Sequence, residues 1–325
     1  MSDFRWGILG TGGIAQAFAA DLAHADGHVV AAVGSRTLEG AHAFATLFPT
    51  AIPYGSYEEL VASDVDAIYV STPHIFHAEN AALALNAGKP VLCEKAFTIN
   101  SKESAKIIAI AQSKKVALME AMWTRFLPHI QEIKKVIVAG ALGEIHTVIA
   151  DHGQYIPYSR APRLWEPTLG GGALLDLGIY SITIADIALG SPLTTHAHAT
   201  LTDKGVDLQT SMGLHYSNGA HAMLSCTMAA RTPVTASISG DKARIEIDAP
   251  FYNPTSWRLI TRDGEVTEYP NTYQGHGLRE EAIEFARVVR AGEIESPLMT
   301  HAKSQEIMEL MDEVRRQVGV KYPTE

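Results

Sequence analysis

The chain has 325 residues, and hydrophobic residues make up 46% of it, so two domains with separate cores are expected. The 36 acidic against 26 basic residues give a formal charge of −10. A surface of that sign repels phosphate backbones, which argues against general nucleic-acid binding and leaves room for a local basic spot. Two cysteines, Cys93 and Cys226, exclude a disulfide framework and fit a reducing cytoplasm. The amino-terminal residues lack the pattern of a secretion signal, and no apolar run reads as long enough to span a bilayer.

In chain order, Phe4 to Leu9 reads as a short apolar strand ending in glycines. Ile14 to Ala23 has helical spacing, His28 to Gly34 is a second strand, and Leu38 to Leu47 and Tyr57 to Ala62 are helices. Ala67 to Ser71 is a third strand, followed by a helix through Leu85. Val91 to Cys93, a helix over Ser101 to Ser113, and Val116 to Met119 continue the alternation. Repeated strand–helix units with near-continuous apolar strands predict a parallel sheet covered on both faces.

After about Gly143 the period changes to two. Leu208, Thr210, Met212, Leu214 and Tyr216 share one face; Ala220, Ala222, Leu224, Cys226 and Met228 share a face of the next strand. Asn218-Gly219 between them is a hairpin signal. Val234 to Ser239, Ala243 to Ile247, Trp257 to Thr261 and Val266 to Tyr269 extend the pattern. An antiparallel sheet follows, with one face on a core and the other available as an oligomer interface. Arg279 to Arg290 and Ser304 to Val318 read as amphipathic helices. The division expected is 1–121 and 122–325, with the carboxy-terminal helix packing back on the first domain.

Gly10-Thr11-Gly12-Gly13-Ile14-Ala15 closes the first strand and opens the first helix, the context in which such a loop cradles a pyrophosphate. Gly10 allows the turn, Gly12 lets backbone approach the anion, and the helix N-terminus supplies free N–H groups. The second strand ends in Ser35-Arg36, where binders of NAD(H) usually place a carboxylate for the ribose hydroxyls. A guanidinium pairs with a 2′-phosphate instead, so NADP(H) is favoured over NAD(H).

Three further segments carry a resemblance: Ser71-Thr72-Pro73-His74-Ile75-Phe76-His77, Ala87-Gly88-Lys89-Pro90-Val91-Leu92-Cys93-Glu94-Lys95-Ala96, and Gly170-Gly171-Gly172-Ala173-Leu174-Leu175-Asp176-Leu177-Gly178-Ile179-Tyr180. With the glycine loop, the chain resembles the glucose–fructose oxidoreductase / inositol dehydrogenase family. Met119-Glu120-Ala121-Met122-Trp123-Thr124-Arg125-Phe126 is similar, more narrowly, to its dimeric dihydrodiol dehydrogenase and NADP-dependent xylose dehydrogenase branch. The resemblance implies an α/β protein: an N-terminal Rossmann fold plus a C-terminal α/β domain with a large open, mainly antiparallel sheet that often dimerises, a homodimer or homotetramer being the expected assembly. It also implies hydride transfer between a nicotinamide and a hydroxyl or carbonyl carbon of a sugar, polyol or dihydrodiol.

By the same resemblance, Thr72, Pro73, His74 and His77 line the cofactor, as do Glu94, Lys95 and Arg163. Lys95 follows a strand end, where it would stabilise alkoxide charge and favour a phenolate neighbour. Relatives carry Glu-Lys-Pro, often with a cis bond before the proline; with Ala96 here a cis bond costs about 3 kcal/mol more than trans, so the loop is expected to differ. Asp176 and Tyr180, four apart, fall on one helix face; Tyr180 would exchange the substrate proton with Lys95's help, and Asp176 would orient it. Trp123, Arg125, Phe126 and Trp165 are candidate walls of a substrate pocket. The 14 histidines show no zinc-type spacing, and no metal is expected. A dinucleotide-dependent sensor without catalysis is the alternative.

Overall fold

A computed structural model of the chain describes residues 2–323 and 325. It divides into two compact units, Met1–Phe126 with Gly275–Met308, and Leu127–Gln274 with Glu309–Glu325.

The first unit alternates β1 (Phe4–Leu9), α1 (Gly13–Leu22), β2 (His28–Gly34), α2 (Leu38–Leu47), β3 (Ile52–Tyr54), α3 (Tyr57–Val61), β4 (Ala67–Val70), α4 (His77–Asn86), β5 (Val91–Glu94), α5 (Ser101–Lys114) and β6 (Leu118–Ala121). Its six strands lie parallel in the order β3-β2-β1-β4-β5-β6. In such sheets ligands bind at the carboxyl ends of the strands, where the order reverses, here between β1 and β4. Every residue of β4, β5 and β6 is buried, as expected of parallel strands covered on both faces. Trp6, Phe18, Tyr69 and Phe285 anchor the core; the Phe18 and Tyr69 rings stack with centroids 3.8 Å apart.

The second unit begins with α6 (Pro128–Val138) and β7 (Ile145–Gly153); then come a π-helical turn over Leu174–Gly178, α7 (Ile179–Leu189), β8 (Thr194–Leu201), β9 (Asp207–His215), β10 (His221–Thr227), β11 (Ala236–Gly240), β12 (Ala243–Ile247), β13 (Trp257–Thr261) and β14 (Val266–Tyr269). These eight strands form one sheet, β14-β13-β12-β11-β7-β10-β9-β8. It is mixed: β7 and β10 run parallel and the other pairs antiparallel. The alternation read from Leu208 to Met228 holds, with Met212, Leu214, Leu224 and Cys226 facing inward. The helix α7 packs on β7 and β10, while Ile149 and Met223 remain exposed. Pro167–Leu189 is, against the sequence reading, long and apolar enough to cross a membrane, with mean hydropathy 1.6; most of that stretch is buried inside the protein.

The chain then supplies α8 (Arg279–Arg290) and α9 (His301–Val318). The sequence reading puts the division at 121/122 with the carboxy-terminal helix packing back; the compact units instead divide after Phe126 and return a longer segment. Residues 275–308 return to the first unit, and α8, rather than the last helix alone, packs back. Asp21 accepts from the backbone N–H groups of His276 (2.7 Å), Gly277 (2.9 Å) and Arg279 (2.9 Å), and Phe285 meets Trp6 at 6.1 Å. An amphipathic helix shows in sequence which face is buried, and not which surface receives it.

Candidate active site

The glycine loop stands at the β1/β4 switch. Gly10 has φ +109°, its N–H donates to Gly34 O, and Ser71 beyond β4 donates to Leu9 O through both N–H and hydroxyl. The helices α2, α3 and α5 have their first amides capped by Thr37, Ser56 and Asn100. By contrast, α1 starts at Gly12 with no side-chain cap and no acidic residue in its first turn. Nothing lies within 4 Å of where a Cβ on Gly12 or Gly13 would stand. Open space above uncapped amides fits a dinucleotide pyrophosphate held by Thr11, Gly12, Gly13 and Ile14. Arg36 is exposed at the end of β2, after half-buried Ser35. Its charge acts on Tyr57, whose phenol burial pushes up while the guanidinium pulls it down. An exposed cation at this strand end suits a ribose 2′-phosphate.

Lys95 follows β5 and is half-buried. The Lys95–Ala96 peptide is cis. The neighbouring main chain is held throughout: Lys95 N donates to Glu94 Oε2 (3.2 Å), Phe97 N donates to Glu120 Oε1 (3.1 Å), and Cys93 Sγ donates to Phe97 O (3.7 Å). Glu94 is buried and also accepts the Tyr69 hydroxyl. Behind the loop lies a set of buried acids. Burial pushes Glu120 up to about 7 against the opposing pull of Ser304 and Arg125. Burial and the charges of Glu94, Glu120 and Asp21 hold Glu281 well above the carboxylate range, and neither of its carboxylate oxygens has a hydrogen-bond partner among the described residues.

Of the expected cofactor-lining group, Thr72 and Pro73 form the turn after β4, where the Thr72 hydroxyl accepts from Asn80 (3.1 Å). His74 and His77 are both buried, their rings edge to face at 5.6 Å. Trp123, Arg125 and Phe126 are buried residues of the first unit, with Trp123 against His276 at 5.2 Å. In the second unit, Trp165 is half-buried and its indole N–H donates to Ile156 O (3.1 Å).

Asp176 lies in the π-helical turn and Tyr180 in the first turn of α7. Arg163, expected near a cofactor, donates to Asp176 at 3.1 Å. The start of this segment is pinned by Asp207, a residue the sequence reading did not single out. Its Oδ2 accepts from Leu174 N and Thr210 Oγ1, each at 2.8 Å, and burial raises the carboxyl to about 6. Gly172 has φ +119°, and a Cβ there would overlap that carboxylate. The Tyr322 hydroxyl donates to Gly171 O (2.8 Å).

Tyr180 is 6% exposed and sits in an aromatic group absent from the sequence reading. Tyr252 lies 4.6 Å and His152 5.2 Å from its ring, and His152 and Tyr252 stack at 4.2 Å. Gln154 Nε2 lies 3.0 Å from His152 Nε2 and donates to Tyr252 Oη at 3.2 Å. The pair His152 and Gln154 shows the two-residue spacing of a strand face; Tyr252 in its loop carries no such signal.

A chain with a Rossmann sheet and open anion cradle in one unit, and an acid–phenol pair on a helix in the other, has the features of a dinucleotide-dependent oxidoreductase. Residues 4–122 match the oxidoreductase family with NAD-binding Rossmann fold, and residues 130–246 the GFO/IDH/MocA C-terminal domain. The trans-1,2-dihydrobenzene-1,2-diol dehydrogenase of Danio rerio is 39% identical, over 98% of both chains. The D-xylose 1-dehydrogenase (NADP(+)) of Hypocrea jecorina is 36% identical, over 98% of this chain and 93% of that one. A 3-ketoreductase from Actinomadura kijaniata, solved with NADP and TDP-benzene, superposes with TM-score 0.86 at 28% identity over 98% of both chains. The chain belongs to the GFO/IDH/MocA oxidoreductase family.

Proposed function

We propose that this protein transfers hydride between NADP(H) and the hydroxyl or carbonyl carbon of a sugar or related polyhydroxylated substrate. The relatives are a diol dehydrogenase, an NADP(+) xylose dehydrogenase and an NADP-bound ketoreductase, which supports the reaction and the cofactor. The observation that favours a sugar is the group around Tyr180. Aromatic faces suit C–H bonds of a pyranose, and half-buried Gln154 and Tyr252, backed by buried His152, carry polar groups suited to its hydroxyls.

The dinucleotide, held by Gly10–Ile14 with Ser35 and Arg36 at its 2′-phosphate, supplies a hydride acceptor when bound. Tyr180 takes the proton of the reacting hydroxyl, and Asp176, steadied by Arg163 at 3.1 Å, orients that hydroxyl. Lys95 places a positive charge for the oxygen as it develops alkoxide character. Carbonyl reduction runs the same proton transfer in reverse. We further propose a cytoplasmic homodimer, because both cysteines are free and buried and the outer face of the eight-stranded sheet exposes Ile149 and Met223.

The test is a rate panel of D-xylose, D-glucose, inositols and a trans-dihydrodiol with NADP⁺ and NAD⁺, run on the wild type and on Lys95→Met, Tyr180→Phe and Arg36→Ala. The expected outcome is sugar turnover with NADP⁺ preferred. The first two variants lose turnover but keep NADPH affinity within about threefold. Arg36→Ala weakens NADPH binding about 10- to 100-fold, the loss of a charge-assisted contact of about 1.5–3 kcal/mol. Unchanged turnover in Lys95→Met overturns the assignment.

A further inference from the structure

The histidine of the Thr72–His77 turn presents no ring nitrogen for a ligand, because both are occupied. His77 is 1% exposed; its Nδ1 lies 2.9 Å from Ala96 O and its Nε2 2.7 Å from Thr72 O. Ala96 directly follows Lys95, and Thr72 belongs to the turn after β4. One side chain on α4 therefore bridges two loops at the carboxyl ends of adjacent strands. A neutral imidazole has one N–H and serves one carbonyl at a time; an imidazolium serves both. Burial pushes His77 down to about 4, with Lys95 adding to the fall, while the carbonyls of Thr72 and Ala96 pull it up.

We propose that His77 is a positioning residue for Lys95: its buried ring is wedged between the Ala96 and Thr72 carbonyls and, neutral, donates its one N–H to either of them, which keeps the lysine-bearing loop packed against the Thr72 turn. The other contacts of this loop do not perform that task. Glu94 and Cys93 tie the loop only to its own strand. Glu120 on β6 holds the Phe97 N–H from the far side. His77 alone of these reaches the carbonyl beside the lysine and a second loop together. The Thr72 end is itself secured, since its hydroxyl accepts from Asn80. Without His77, the Ala96–Phe97 peptide keeps its Phe97 N–H bond to Glu120 but loses its contact with the Thr72 turn, so the loop is held from one side instead of two. The pyrophosphate cradle on β1 and α1 and Arg36 after β2 do not touch His77, so most of the cofactor's binding groups stay in place and its affinity should change far less than kcat.

This inference rests on the reading of Lys95 as catalytic, and the experiment separates the two. Hydrogen–deuterium exchange of the segment Glu94–Thr98 is measured in the protein without cofactor for the wild type, His77→Ala and His77→Gln, with rates on the best substrate in parallel and Lys95→Met as reference. In His77→Ala the segment should exchange about tenfold faster, the equivalent of one lost buried hydrogen bond. Its kcat should fall about 100-fold, as expected for a displaced catalytic group, with KM and NADPH affinity within about threefold. Added imidazole should restore both protection and kcat. His77→Gln keeps an amide donor for one carbonyl and should fall between the two, which serves if the alanine variant does not fold. Unchanged exchange, or kcat within about twofold of wild type, overturns the bridge. An active Lys95→Met overturns the role of the lysine, whereas the exchange measurement still decides whether His77 holds the loop.

Discussion

Replacing Gly172 by alanine tests how the segment ahead of Asp176 and Tyr180 is built. At φ +119° a residue with a Cβ is strained, at about 1–3 kcal/mol. The added methyl also occupies the place of the Asp207 carboxylate. That carboxylate must move off Leu174 N and Thr210 Oγ1, two buried bonds worth about 1 kcal/mol each. The expected loss is about 3–5 kcal/mol, a large share of a typical folding free energy of about 5–15 kcal/mol. Urea denaturation followed by tryptophan fluorescence reads it, in a cycle with Asp207→Ala and the double variant. Asp207→Ala breaks the same two bonds and also clears the space, so the double variant should fall short of the sum of the singles by about 2 kcal/mol. Additivity within about 0.5 kcal/mol, or a loss below about 1 kcal/mol for Gly172→Ala, refutes the reasoning.

The pH dependence of stability should carry the signature of Glu120. Its carboxyl is raised from 4.5 to about 7, so its contribution is full below pH 4.5 and disappears as pH rises through 7. A shift of that size corresponds to about 3 kcal/mol; the wild-type midpoint of thermal unfolding should drop between pH 5 and 8 more steeply than that of Glu120→Gln, and parallel curves would remove Glu120 as the source. On the outer sheet face, Met223→Glu places a charge among the exposed residues around Ile149; light scattering should show the proposed dimer dissociating, and an unchanged mass would move the interface elsewhere.

Much of the first unit is legible in sequence because parallel strands buried on both faces appear as apolar runs between helices of ordinary length. The strand Ile52–Tyr54 escapes that reading, being three residues long with a proline at its centre. Ile145–Gly153 escapes for a different reason. Its parallel partner begins at His221, and pairing across that separation leaves no local signal. Gly10–Ile14, Lys95, Asp176 and Tyr180 can be picked out by residue type and context. Contacts such as Arg163 with Asp176, or Tyr252 with His152, depend on which loops meet, and residue periodicity does not encode that. His77 marks the limit most clearly: its place in a loop motif suggested a ligand-facing ring, whereas burial and two carbonyls turn it inward.

The return of residues 275–308 to the first unit has a consequence for biosynthesis. On a ribosome the six-stranded sheet emerges first, yet Phe285 and the backbone amides that satisfy Asp21 arrive only after the whole eight-stranded sheet has been made. The nascent first unit must therefore wait with Trp6 lacking its Phe285 neighbour and with Asp21 bonded to water in place of its backbone amides while the second unit is synthesised. A fragment ending at Phe126 would be arrested at that stage, a natural client for chaperones rather than a separable nucleotide-binding module.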